Sequence, residues 1–228
     1  MFIGHFGLAL AAKRVAPRTS LGTLVAASAW VDAVWPALLL TGAERVHVVA
    51  EAPTPFLRLD FEHYPWTHSL AAAVVWAVAF GAAYLWRKGY RTGAWTAGAL
   101  VASHWVLDLV VHRPDLALWP GGPKVGLGLW WSVPGTLAVE LAVFLGGLWV
   151  YVASTRPRDR TGRWALASFV VVVLLAYASS LLGPPPPSTT ALGISALAGA
   201  AALVAWATWA DRHREIRPEM GAGLAPVP

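Results

Sequence analysis

The chain has 228 residues, 57% hydrophobic and 13% charged, with a mean hydropathy of +0.56. A soluble domain carries about 25% charged residues, so this composition excludes one and predicts an all-α polytopic membrane bundle. The net charge of +5 does not indicate nucleic acid, because the basic residues fall in short clusters between apolar runs, and a chain without Cys has neither disulfides nor thiolate metal sites.

The N-terminus has no basic stretch before its first apolar run and no clear cleavage site, and reads as mature sequence. Residues 2–12 (FIGHFGLALAA) fall short of the about 20 residues that cross a bilayer, so they predict a half-helix packed against other protein. It carries His5. The first span is predicted over 20–41 and carries Asp32. A polar loop over 42–67 follows, with Glu44, His47, Glu51, Arg58, Asp60, Glu62 and His63. The second span, 68–86, opens on His68, and the third, 93–113, carries His104, Asp108 and His112. The loop 114–133 leads to a fourth span, 134–153, with Glu140 about two turns in. The fifth, 164–182, has no ionisable group. The run Pro184–Pro187 cannot continue a helix, and the sixth span covers 190–210. Residues 1–153 are expected to form the core that holds the site, 154–217 to add two further spans, and the Pro/Gly-rich 218–228 to be a disordered tail. The 14 Trp suit interfacial belts.

Four basic clusters set the orientation: Lys13, Arg14 and Arg18; Arg87, Lys88 and Arg91; Arg156, Arg158, Arg160 and Arg163; Arg212, Arg214 and Arg217. Six spans put all of them on one side, which the positive-inside rule makes cytoplasmic, as expected for a bacterial or archaeal inner membrane with a cytoplasmic C-terminus. His5, Asp32, His68, His104, Asp108, His112 and Glu140 then fall in the outer half of the bundle. The inner half of the spans has essentially no ionisable group.

His104, Asp108 and His112 are spaced by four in GALVASHWVLDLVVH, so a helix puts them on one face. An ionisable residue inside the membrane is by default a functional candidate, and His-x-x-x-Asp can place an imidazole and a carboxylate on one cation. A lone membrane His is ordinarily an interhelical hydrogen-bonding contact. The carboxylates resist that reading: Asp32 and Asp108 need a cation, a proton or a partner, and no span contains Lys or Arg short of Arg113 at the outer end of the third. A divalent metal held by His5, Asp32, His68, His104 and Asp108 supplies the charge. His112, followed by Arg-Pro-Asp, reads equally as a ligand or an interfacial residue. His63 reads as solvated or as a support for a ligand, and His47 and His213 as solvated. Glu140 or Glu62 is the expected general base or orienting partner.

The set Gly4-His5, Trp30-Val31-Asp32, Thr67-His68-Ser69 and Ser103-His104-x-x-x-Asp108 resembles the membrane-bound metal-dependent hydrolases, the LexA-binding, inner-membrane-associated hydrolase family. These are distantly similar to zinc-dependent phospholipases C and fungal single-strand nucleases. HYPWTHSL (63–70), SHWVLDLVVHRPDL (103–116) and GLGLW (126–130) look like one branch of it, and the resemblance covers roughly residues 1–150. The soluble relatives carry further His/Asp ligands, including a second His-x-x-x-Asp. One such pair here implies one or two metals, with Zn suited to His/Asp ligation and Mn or Fe also fitting. The resemblance implies metal-assisted hydrolysis. A site at the outer membrane boundary suits a phosphoester in a lipid or lipid-linked substrate. The alternatives are a transporter or ion/proton conductor, which needs a polar path to the inner side, and a structural protein whose polar cluster holds helices together.

Overall fold

The computed structural model describes residues 1–218; residues 219–228, most of the expected tail, lie outside the described residues. The chain is an all-α bundle. Its elements run α1 (Ile3–Val15), α2 (Leu21–Ser28), α3 (Trp30–Leu40), β1 (Arg45–Val48), β2 (Leu59–His63), α4 (Pro65–His68), α5 (Leu70–Lys88), α6 (Arg91–Val111), β3 (Leu116–Ala117), β4 (Lys124–Val125), α7 (Val133–Ser154), β5 (Thr155–Pro157), α8 (Arg160–Leu182), α9 (Thr189–Arg212) and β6 (Arg214–Ile216). Five helices, α5 to α9 in order, are long and apolar enough to cross a membrane, and a sixth span is made if α2 and α3 count as one. This is compatible with an integral membrane protein.

Local chemistry explains most boundaries. Ser20, Ser69, Ser132 and Ser188 each accept a backbone N–H of the first turn of α2, α5, α7 and α9, and Asp159 does so for α8. Gly89, at φ +62°, ends α5 in the left-handed region and lets α6 return antiparallel to it.

The span expected over 20–41 is broken. α2 and α3 meet at Ala29 at an angle of 55°. The Ser28 carbonyl accepts a hydrogen bond from His104 Nδ1 at 2.8 Å, and Pro36 cannot donate to the turn before it. α1 is the half-helix the sequence predicts, buried against α7. Gly7 and Gly147 face each other: a Cβ on Gly147 would collide with the Gly7 carbonyl, and one on Gly7 would lie 2.5 Å from the Val143 carbonyl. Small residues let two backbones approach this closely, and that approach sets the depth of His5.

Ile3, Leu10, Leu21, Leu24, Phe144 and Phe169 form the centre of the core. α8 and α9 share it through Phe169, Val173, Tyr177 and Ala207, so they close the bundle around the site. The loops expected over 42–67 and 114–133 contain two antiparallel hairpins, β1–β2 and β3–β4. At the opposite end, β5 pairs with β6, Lys13 Nζ lies 2.7 Å from Asp211, and the Arg18 guanidinium stands over the Tyr90 ring. The four basic clusters thus gather at one end of the bundle.

Candidate metal centre

Five of the predicted residues converge at the other end: His5 from α1, Asp32 from α3, His68 closing α4, and His104 and Asp108 from α6. His104 Nε2 lies 3.1 Å from Asp108 Oδ2 and 3.5 Å from Asp32 Oδ1. His68 Nε2 lies 3.3 Å from Asp32 Oδ1 and 3.9 Å from Asp108 Oδ2. His5 Nε2 is 3.2 Å from Asp108 Oδ1, and the His5 and His104 rings stack at 3.7 Å with 4° between planes. Two groups, His5–Asp32–His104 and His68–His104–Asp108, each bring one donor atom per residue within 4.8 Å of the others. Ligands about 2.0–2.2 Å from a tetrahedral ion stand about 3.3–3.6 Å apart, so the observed spacings suit a shared cation. Four of the five side chains are buried; that of Asp32 is 45% exposed and gives the cluster its opening.

The hydrogen bonds behind the rings decide what the cluster can hold. His104 Nδ1 faces the Ser28 carbonyl, which only accepts, so Nδ1 carries the hydrogen. His68 Nδ1 is 2.7 Å from Thr67 Oγ1, and that hydroxyl donates to Glu44 Oε2 at 2.8 Å, so His68 Nδ1 is again the donor. With both rings neutral, Nε2 is then a lone pair directed at carboxylate oxygens. His104 Nε2 is buried and makes no hydrogen bond. Acceptors facing acceptors repel unless a proton or a metal cation lies among them, and outer hydrogen bonds of this kind are how an imidazole is prepared as a ligand. The buried amino group of Met1 pairs with Asp108, which offsets one of the two carboxylates and leaves the imidazole lone pairs unserved.

Glu44 is the residue that sequence reasoning missed. It is fully buried, and its Oε1 also accepts from the N–H groups of Trp66 and Thr67 at 2.8 and 3.0 Å, so it holds the start of α4 and, through Thr67, the His68 ring. Burial raises its pKa against the opposing hydrogen bonds from Thr67. Nothing in the sequence separates it from the other loop acids except a hydrophobic setting that only the fold creates.

Two candidates stand outside the two ligand groups. Glu62 is in an exposed hairpin, 2.9 Å from His47 and 3.4 Å from Arg45, and the His47 hydrogen bond and the Arg45 charge lower its pKa; it is not in the cluster. His112 belongs to neither ligand group. α6 ends at Val111, the backbone at His112 turns extended, and the four-residue stripe stops there. Its Nδ1 lies 2.9 Å from Asp115, with Tyr64 donating to the same carboxylate at 2.9 Å. Burial would raise the Asp115 pKa, but the hydrogen bonds from His112, Tyr64 and Arg113 hold it below the usual carboxylate value. Glu140 accepts at Oε2 from the N–H groups of Phe2 and Gly4, at 2.8 and 3.2 Å, which anchors the start of α1; its Oε1 is buried and unpartnered. His63 lies at the end of β2 and His47 and His213 on exposed polar contacts.

A cavity of about 330 Å³ opens off the cluster, lined by Asp32, His68, Asp108, His112 and Glu140 and walled mainly by apolar side chains of the segment 55–61, of α8 and of the proline run that follows it. No family model, curated protein or solved structure matches the chain.

Proposed function

We propose that the cluster binds a divalent cation, zinc by its imidazole and carboxylate donors, and that the protein is a membrane-embedded hydrolase of phosphoesters in lipid or lipid-linked substrates. The observation that carries the metal is the pair of imidazoles whose Nδ1 hydrogens are committed to Ser28 and Thr67, leaving two Nε2 lone pairs aimed at two carboxylates. His5, Asp32, His68, His104 and Asp108 would hold it. A cation bound there supplies Lewis acidity toward water and a phosphoryl oxygen.

The chain's own groups cover the remaining needs. Glu140 Oε1 has no partner among the described residues and borders the cavity, which supports it as the base that takes a proton from water as the new P–O bond forms. The proton passes to the alkoxide released when the ester P–O bond breaks. Asp32, partly open, sits between cavity and cluster. The apolar walls admit the non-polar part of an amphiphile and limit water. The single basic end of the bundle, opposite the cluster, supports an orientation with this cavity on the outer face. The hydrolase reading agrees with the likeness of Gly4-His5, Thr67-His68-Ser69 and Ser103-His104-x-x-x-Asp108 to membrane-bound metal-dependent hydrolases.

The test is turnover. Protein in nanodiscs, with metal restored, is offered a panel of phospholipids and lipid-linked phosphates. Metal-dependent product that disappears in Asp108→Asn is the expected result. Ion flux in proteoliposomes sensitive to the same substitution, with no substrate cleaved, would replace hydrolysis by conduction.

A further inference from the structure

The cavity has a feature that metal binding leaves unused. Arg58 is the only Lys or Arg that lines it. Among the described residues it pairs with no carboxylate, whereas Arg45 pairs with Glu62, and Arg113 with Asp60 and Asp115. Arg58 Nη1 donates instead to the Gly183 carbonyl at 2.6 Å and more weakly to that of Ser180 at 3.4 Å, so the last turn of α8 holds the guanidinium at the cavity wall. A guanidinium has five donors, and this anchoring uses one nitrogen. Among the described residues three others that line it have buried donors with no partner: Tyr177 through its hydroxyl, and Trp35 and Trp130 through their indole N–H groups. Buried donors left unpaired cost about 1–3 kcal/mol each, so a wall that keeps three of them suits a ligand rich in acceptor oxygens.

The rest of the wall is apolar: Phe56, Leu59, Phe61, Leu181 and Leu192 among others. A volume near 330 Å³ is at the low end of small-molecule pockets, about 300–1,000 Å³, so it takes a headgroup and the first part of a tail only. Three carboxylates, Asp32, Asp108 and Glu140, face the same space and would repel an anion unless a cation sits among them.

We propose that Arg58 is the phosphate-recognising side chain of this cavity, and that its ligand is a phosphate-bearing amphiphile whose remaining oxygens meet Tyr177 and the two indoles. This rests on the hydrolase reading and adds its specificity residues. Arg58 carries a fork suited to phosphate and lines the same cavity as Asp32, His68 and Asp108 of the cluster.

The probe is dodecylphosphonate, whose C–P bond is not a hydrolysable ester, titrated calorimetrically into protein as purified in detergent. Dodecanol and inorganic phosphate are the controls, and metal content is measured on every sample. Wild type is expected to bind the phosphonate and not dodecanol. Arg58→Gln is expected to weaken binding tenfold or more, and Tyr177→Phe, which removes one hydroxyl and keeps the ring stacked on Phe2, several-fold, both with unchanged metal content. Equal affinity of wild type and Arg58→Gln for the phosphonate overturns the proposal, as does failure of metal-loaded wild type to bind it. Inorganic phosphate binding as tightly as the phosphonate removes the amphiphile and leaves a plain phosphate site, which also overturns it. Should Arg58→Gln lose its fold, Tyr177→Phe decides by the same criterion. Arg58-dependent binding by a protein that retains no metal would sink the hydrolase reading and leave the headgroup site standing.

Discussion

Thr67→Val is the sharpest probe of how the cluster is held. Val keeps the shape of Thr and removes one oxygen, at a position with no exposed surface. That oxygen carries two hydrogen bonds, 2.7 Å to His68 Nδ1 and 2.8 Å to Glu44 Oε2. Both partners stay buried. A buried group left unsatisfied costs about 1–3 kcal/mol, and neutralising one end of a linked pair does not spare the other. The His68 ring also loses the bond that fixes its tautomer, and removal of such an outer partner typically lowers metal affinity 10–100-fold, about 1.4–2.8 kcal/mol. Competition against chelators of graded affinity reads the loss directly, with thermal unfolding measured in parallel. Thr67→Ser restores the hydroxyl and should recover most of the affinity. Wild-type affinity in Thr67→Val, or an equal loss in Thr67→Ser, would refute the Glu44–Thr67–His68 relay.

Gly147→Val should push α1 off α7 and displace His5, costing about 1–3 kcal/mol of stability through overpacking, with lower metal retention; an unchanged melting temperature would show that the backbones are not in contact. Asp115 has its folded pKa held below the ordinary carboxylate value, so its stabilising contribution is present above about pH 3.9 and is lost as the pH falls through the folded value. The stability gap between wild type and Asp115→Asn, followed by thermal unfolding, should therefore close on acidification below pH 4, and a gap that widens would contradict the assignment. Single Cys residues at Glu51 and Lys124 should be labelled from one side of the membrane and one at Arg163 from the other, since the native chain has no Cys to interfere; labelling of all three from one side would overturn the topology.

The helices and most of the cluster were legible in the sequence because the membrane makes ionisable groups expensive, so each His or Asp in an apolar run stands out. The four-residue spacing of His104 and Asp108 needs only helical geometry. The same spacing brings His112 to the cavity that the cluster lines, but one residue beyond Val111 the backbone leaves the helix and the ring turns to Asp115, which the periodicity could not foresee. The break at Ala29 has no Gly or Pro beside it, and it depends on a carbonyl drawn to His104, 76 residues away. Glu44 and Glu62 are alike in sequence, both acids in a polar loop; only the hairpin β1–β2 and the packing under α4 bury one and expose the other. Arg58, too, is one of several loop cations until the end of α8 is placed beside it.

Metal content of the purified protein tests the cluster most directly. Elemental analysis of wild type, His104→Ala and Asp108→Ala, each checked for fold by circular dichroism and prepared without added metal, should find one or two equivalents of a divalent transition metal, zinc foremost, in wild type and little in either variant. A folded, membrane-inserted wild type with no metal, or variants that retain the full complement, would contradict a His/Asp metal centre.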